Sequence, residues 1–212
     1  MVEAIIFDMD GVLFDTEKYY YDRRANFLAQ KGISIDHLPP SFFIGGNTKQ
    51  VWENILRDDY DNWDVPTLQE EYNAYKQDNP LPYKELIFPD VFKVLNEVNS
   101  RGLKIGLASS SVKADILRAL EENRLQGFFD VVLSGEEFKD SKPNPEIYLT
   151  ALKQLNVQAN RALIIEDSEK GIAAGVAAGV EVWAIKDNRF GMDQSAAKGL
   201  LDSLTDVLDL IK

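Results

Sequence analysis

Three acidic or hydroxyl clusters, Asp8-Met9-Asp10-Gly11, Ser109-Ser110-Ser111 and Glu166-Asp167-Ser168, each follow directly on a short apolar run, and a lysine, Lys142, precedes Pro143. If the runs are strands of one open parallel sheet, the clusters converge on its carboxyl edge, where such sheets bind ligands. Pro143 disfavours a helical backbone at Lys142 and keeps that residue extended just ahead of a helix. Carboxylates gathered in one cleft repel each other and hold their protons more tightly unless a cation joins them. A divalent metal answers that repulsion. Ligation by oxygen alone favours Mg²⁺, which keeps waters and completes its shell with substrate phosphate. The remaining groups suit that phosphate: the Ser109 hydroxyl, backbone N–H groups beyond the strand ends, and Lys142 as a point charge. With a metal and an ammonium offsetting the phosphate charge, a carboxylate can approach phosphorus, which makes Asp8 a candidate covalent nucleophile.

These groups depend on the elements that carry them. The runs Glu3 to Phe7, Lys104 to Leu107, Val131 to Leu133 and Ala162 to Ile165 predict strands buried on both faces, and Val180 to Ile185 adds a fifth. Helical patterns lie between the later strands. Asp90 reads as the cap before the Val91, Phe92, Val94, Leu95, Val98 stripe, with Gly102 after it, and Asn144-Pro145 reads as cap and first residue of another helix. The alternation predicts an α/β fold, a Rossmann-like parallel sheet with helices on both faces, formed by residues 1–15 and 82–212. From about Thr16 to Phe88 the rhythm breaks. This interval has no strand-like run, shows helix-like stretches near 17–31, 48–58 and 66–79, and holds 13 of the 22 aromatic residues. It predicts an inserted all-helical domain over 16–81, with Trp52, Trp63, Tyr72 and Tyr75 in its core and Asn79-Pro80-Leu81-Pro82 as the return hinge. Gly171 to Gly175 lacks the spacing of a dinucleotide-binding loop and reads as close helix packing.

Composition narrows the chemistry. The 212 residues contain no Cys, so disulfides, thiol nucleophiles and Cys-ligated metals are out, and the usage fits a reducing interior. The single His, His37, removes His triads and His-rich metal sites, and its Pro-rich neighbours place it in a loop. A net charge of −12 argues against nucleic acid or an anionic membrane as partner. The first residues lack the basic flank and cleavage site of a signal peptide, and no apolar stretch approaches membrane-spanning length. A cytoplasmic protein is expected.

Phe7-Asp8-Met9-Asp10-Gly11-Val12-Leu13-Phe14-Asp15-Thr16, together with Ala108 to Ser111, Ser141-Lys142-Pro143-Asn144-Pro145 and Ile165 to Ser168, resembles the haloacid dehalogenase superfamily. Within it the match is to the branch of β-phosphoglucomutase and sugar-phosphate phosphatases. The resemblance implies that Asp8 forms an aspartyl-phosphate and that Asp10 is the general acid and base. It implies Mg²⁺ held by the Asp8 carboxylate, the Asp10 backbone carbonyl and Asp167, with Glu166 either a ligand or one step removed. Ser109, the Ser110 amide and Lys142 would hold the transferring phosphoryl, whereas Ser111 reads as structural. The helical interval matches the family's cap, a lid that excludes water and chooses the substrate. Asp15 and Thr16 are expected at the hinge or helix cap, with Thr16 also a candidate substrate contact. Gly46, Thr48 and Lys49 would bring Lys49 either to a distal phosphate or into solvent. The mutase pattern departs here, since Tyr19-Tyr20, Lys49 and Val112-Lys113 stand where that pattern has His, Arg and Lys-Asn. A mutase must grip a bisphosphate at both ends, so the departures favour a phosphatase acting on a small phosphate ester. Lys113, one residue along, keeps the mutase alternative open. A monomer is implied.

Overall fold

In the computed structural model, which describes residues 1–44 and 51–212, strand β1 (Ala4–Phe7) is buried on both faces. Ile5 and Phe7 enter one apolar cluster and Ala4 and Ile6 another. That alternation is why an uninterrupted apolar run works here, since a central parallel strand has no solvent face. Strands β2 (Lys104–Ser109), β3 (Val131–Ser134), β4 (Ala162–Glu166), β5 (Glu181–Ile185) and β6 (Gly199–Leu201) complete a parallel sheet ordered β3-β2-β1-β4-β5-β6. The winding reverses between β1 and β4, and a crevice opens at such a switch point beyond the carboxyl ends of the strands. Phe7 pairs with both Leu107 and Ile165. Asp8 and Glu166 therefore leave the sheet side by side, with Ser109 one residue further along the neighbouring strand.

Helices α1 (Glu17–Gln30), α2 (Val51–Leu56) and α3 (Val65–Asp78) fill the interval after β1. They share a third apolar cluster that includes Phe27, Leu28, Trp52, Ile55, Leu68 and Tyr72, with Trp63 and Tyr75 packed against it. The short α4 (Tyr83–Leu86) returns the chain to the sheet. There α5 (Val91–Ser100), α6 (Lys113–Glu122) and α9 (Val207–Leu210) pack on the Ile5 face, and α7 (Glu146–Leu155) and α8 (Glu169–Ala177) on the Ala4 face. Among the described residues no helix is long and apolar enough to cross a membrane.

Some expectations shift. Asp90 occupies the cap position of α5, yet its carboxylate accepts from the Thr205 N–H at 3.1 Å rather than from its own helix. Helix α7 begins at Glu146, one residue later than expected. Pro145 is the cap because its carbonyl accepts the first helical N–H bonds, from Tyr148 and Leu149, while Asn144 accepts from the Glu146 N–H at 2.9 Å. His37 sits in a turn with its Nε2 2.9 Å from the Asn54 carbonyl. Gly46, Thr48 and Lys49 lie outside the described residues.

Candidate active site

Lys142 and Asp8 form a buried pair at the end of β1, with Lys142 Nζ 2.6 Å from Asp8 Oδ1. The same ammonium donates to Glu166 Oε1 at 2.7 Å and to the Ala108 carbonyl at 2.9 Å, so all three of its N–H groups are used. The Lys142-Pro143 peptide is cis. Glu166 is fully engaged. Its Oε1 also accepts from Tyr148 O–H at 2.6 Å, and its Oε2 from the Asp167 and Ser168 N–H groups and the Ser168 hydroxyl at 3.0, 3.2 and 3.1 Å. Burial works to raise Glu166, but Lys142 and these donors outweigh it and hold the carboxyl below its usual range. For Asp8 the balance goes the other way. Burial, with repulsion from Glu166 and Asp10, outweighs the pull of Lys142 and pushes it up to about 8. Gly171 makes the Glu166 arrangement possible, since a Cβ there would stand 1.8 Å from Oε1.

Asp10 is held from two sides. Thr16 Oγ1 donates to Oδ1 at 2.6 Å and Ser111 Oγ to Oδ2 at 2.7 Å, while Ser109 Oγ stands 3.4 Å from Oδ2. Burial nevertheless raises the Asp10 carboxyl. Thr16 is therefore neither a substrate contact nor a side-chain cap of α1: it is fully buried and its only hydroxyl proton is spent on Asp10. Ser111 is a correction in the other direction, a residue read as structural that touches the candidate acid. Tyr20 extends the network from α1, its hydroxyl 3.1 Å from Ser111 Oγ and 3.4 Å from the Tyr83 hydroxyl. The position of Tyr20, one helical turn beyond Thr16 and on the same face, was a signal available in the sequence. Of the three serines, Ser110 and Ser111 line the cavity, whereas Ser109 is fully buried and accepts from the Ser111 N–H at 3.0 Å.

The donors fit a hard divalent cation. Ligand atoms of Asp8, Glu166 and Asp167 lie within 4.8 Å of one another. Glu166 has no capacity to spare, but Asp167 Oδ2 is buried with no hydrogen-bond partner. Burial, then repulsion from Glu166, Glu17 and Asp8, drives Asp167 well above the usual carboxylate range. An unpartnered buried carboxylate oxygen is costly, and a cation relieves it. The backbone makes room: Gly11 adopts φ +78°, and a Cβ there would stand 1.9 Å from Asp167 Oδ2. Gln194 steadies the same turn, donating to the Asp167 and Ile185 carbonyls at 2.6 and 2.8 Å. Glu17, absent from the sequence reading, is buried on the cavity wall and raised by its burial and by Asp10 and Asp8.

Asp8, Asp10, Ser110, Lys142 and Asp167 thus share a cavity of about 200 Å³. Arg23, Arg24, Trp52, Tyr72 and Lys76, from the inserted helices, line it as well. Lys113 does not reach it. Its ammonium donates to the Val132 carbonyl at 2.6 Å and pairs with Glu137 at 2.9 Å, so it does not replace the missing mutase contact. Asp15, the last residue before the insert, pairs with Arg189 at 2.9 Å.

The profile of the haloacid dehalogenase-like hydrolases matches residues 5–185. The phosphorylated carbohydrates phosphatase of Thermotoga maritima is 31% identical over 185 residues, covering 85% of this chain and 83% of that protein. The phosphoglycolate phosphatase of Aquifex aeolicus is 28% identical over 182 residues, with 85% and 83% covered. The crystal structure of β-phosphoglucomutase from Clostridium difficile matches with a TM-score of 0.83 at 28% identity, covering 100% of this chain and 96% of that one.

Proposed function

The chain belongs to the haloacid dehalogenase-like hydrolases, and from that premise we propose that it is a Mg²⁺-dependent phosphatase. Its substrate is a small phosphorylated metabolite, a sugar phosphate by preference, and the reaction passes through an aspartyl-phosphate on Asp8. The observation that carries this reading is the placement of Asp8 and Asp10 on one cavity, one beside a buried lysine and the other held by two hydroxyls. Asp8, Asp167 and the Asp10 backbone carbonyl would hold Mg²⁺, which when bound offsets the negative charge of phosphate and carboxylates.

Asp8 attacks phosphorus through a carboxylate oxygen, and the bond from phosphorus to the ester oxygen breaks. Asp10, protonated, gives its proton to that departing oxygen, so the alcohol leaves neutral. Lys142 fixes the Asp8 carboxylate, and its charge, with the Ser110 amide, steadies the transferring phosphoryl, while Ser109, expected on the phosphoryl, is buried behind Ser111 and Asp10. Water then attacks phosphorus, its proton passes to Asp10, and the bond to Asp8 breaks to release inorganic phosphate. Both residues return to their starting forms. The helices of residues 16–81 act as the cap on a core of 1–15 and 82–212, excluding bulk water when closed.

The likeness to β-phosphoglucomutase supports a second reading, in which a sugar phosphate rather than water receives the phosphoryl. Against it stands Lys113, committed to Val132 and Glu137. Product analysis separates the two: β-glucose 1-phosphate and other sugar phosphates are supplied with Mg²⁺, with and without a trace of glucose 1,6-bisphosphate. A phosphatase yields inorganic phosphate without the primer. Glucose 6-phosphate formed in a primer-dependent way would instead establish the mutase.

A further inference from the structure

The cavity that holds Asp8 also has a cationic wall. Arg23 and Arg24 on α1 and Lys76 on α3 all line it, in a chain with a net charge of −12. Among the described residues none of the three is paired with a carboxylate. Arg23 is only 9% exposed. It donates through Nη1 to the Asn79 carbonyl at 3.2 Å, while its Nε is buried without a partner. Aromatic faces hold the cations in place: the Arg23 guanidinium lies 5.3 Å from the Tyr20 ring, and that of Arg24 lies 4.7 Å from Phe43 and 5.5 Å from Tyr72. Lys76 Nζ lies 5.3 Å from the same Tyr72 ring. Such contacts orient a cation without cancelling its charge. Lys76 is lowered by its burial and by repulsion from Arg23 and Arg24. Asp115, which also lines the cavity, stands 3.6 Å from Arg118.

A buried guanidinium with an unpartnered N–H, beside two half-buried cations without a carboxylate partner, carries a cost that an arriving anion removes. In the phosphatase reading the transferred phosphoryl does not supply it, because that group would be met by Lys142, the Ser110 amide and the metal. We infer that the substrate carries a second anionic group, a phosphate or a carboxylate remote from the transferred phosphoryl, and that Arg23, Arg24 and Lys76 bind it. The inference builds on the phosphatase reading and names the substrate class within it. The cavity, about 200 Å³, is below the roughly 300 Å³ at which pockets for drug-sized ligands begin, so the spacer between the two anions is short.

The test uses three matched series of short alkyl phosphates, ending in a phosphate, a carboxylate or a hydroxyl. Binding is measured by calorimetry to the Asp8→Asn protein with Mg²⁺, and kcat/KM on the wild type. An anionic end should tighten binding about tenfold to a hundredfold over the hydroxyl end. Arg24→Gln and Lys76→Gln should each erode that ratio, and the terminal group that gains more identifies phosphate or carboxylate as the natural tail. Arg23→Lys, which keeps the buried charge, should retain more of the ratio than Arg23→Gln. Equal binding of anionic and neutral ends, or a preference untouched in both Arg24→Gln and Lys76→Gln, overturns the inference. Because binding is read without turnover, that outcome is separate from failure of the phosphatase reading, which would appear as tight binding with no phosphate released from any ester.

Discussion

Asp10 takes both of its strong hydrogen bonds from hydroxyls, Thr16 at 2.6 Å and Ser111 at 2.7 Å, and neither is a competing base. A carboxyl so placed can give and retake a proton without losing its position. Asp10→Asn should therefore slow phosphoenzyme formation from an alkyl phosphate by about 10²- to 10⁴-fold. With p-nitrophenyl phosphate, whose phenolate leaves without a proton, the burst in rapid-quench experiments should fall far less. Equal losses on both substrates would mean that Asp10 is not the acid. Ser111 was legible only by type. It meets Asp10 across 101 positions and Tyr20 across 91, and no local spacing rule reports such contacts. Thr16 was legible as a residue of interest but not in its role, because a threonine ahead of a helix usually caps it.

At the scale of elements, the central strands were plain in the sequence because they are buried on both faces and so read as unbroken apolar runs. β6 was not, since Gly199-Leu200-Leu201 is too short to show a period and is a strand only by its pairing with β5. The glycine-rich start of α8 was read as a packing feature, and its cause is specific: Gly171 makes space for the carboxylate that ends β4. Gly171→Ala should force Glu166 off Lys142 and cost about 1–3 kcal/mol of stability, the usual scale for overpacking. Chemical denaturation measures it. A change within experimental error would show that Glu166 has freedom to move, and its role as the fixed partner of Lys142 would fall.

For the whole molecule, the accumulation of carboxyls at one sheet edge ties stability to the metal. Asp8, Asp167 and Glu17 are all raised in the folded protein by burial and by neighbouring carboxylates. Without metal the folded state then binds more protons than the unfolded chain, so their contribution to stability is intact in acid and is lost as pH rises toward about 8. Mg²⁺ competes with those protons and reverses the loss, contributing about 2.7 kcal/mol at a hundredfold excess over its dissociation constant. The Mg²⁺-induced rise in Tm should accordingly be larger near pH 8 than near pH 5, as followed by calorimetry. An equal rise at both, or none, would contradict the assignment of Asp8 and Asp167 as the metal's carboxylate donors.

The central claim is that phosphate passes through Asp8 on its way to water. The measurement that meets it most directly is acid quenching of the enzyme during turnover of radiolabelled p-nitrophenyl phosphate with Mg²⁺, followed by peptide mapping. Label should appear on the peptide containing Asp8, decay at a rate that accounts for phosphate release, and be absent in Asp8→Asn. Phosphate released at full rate with no label on the protein, or by the Asp8→Asn variant, would contradict it.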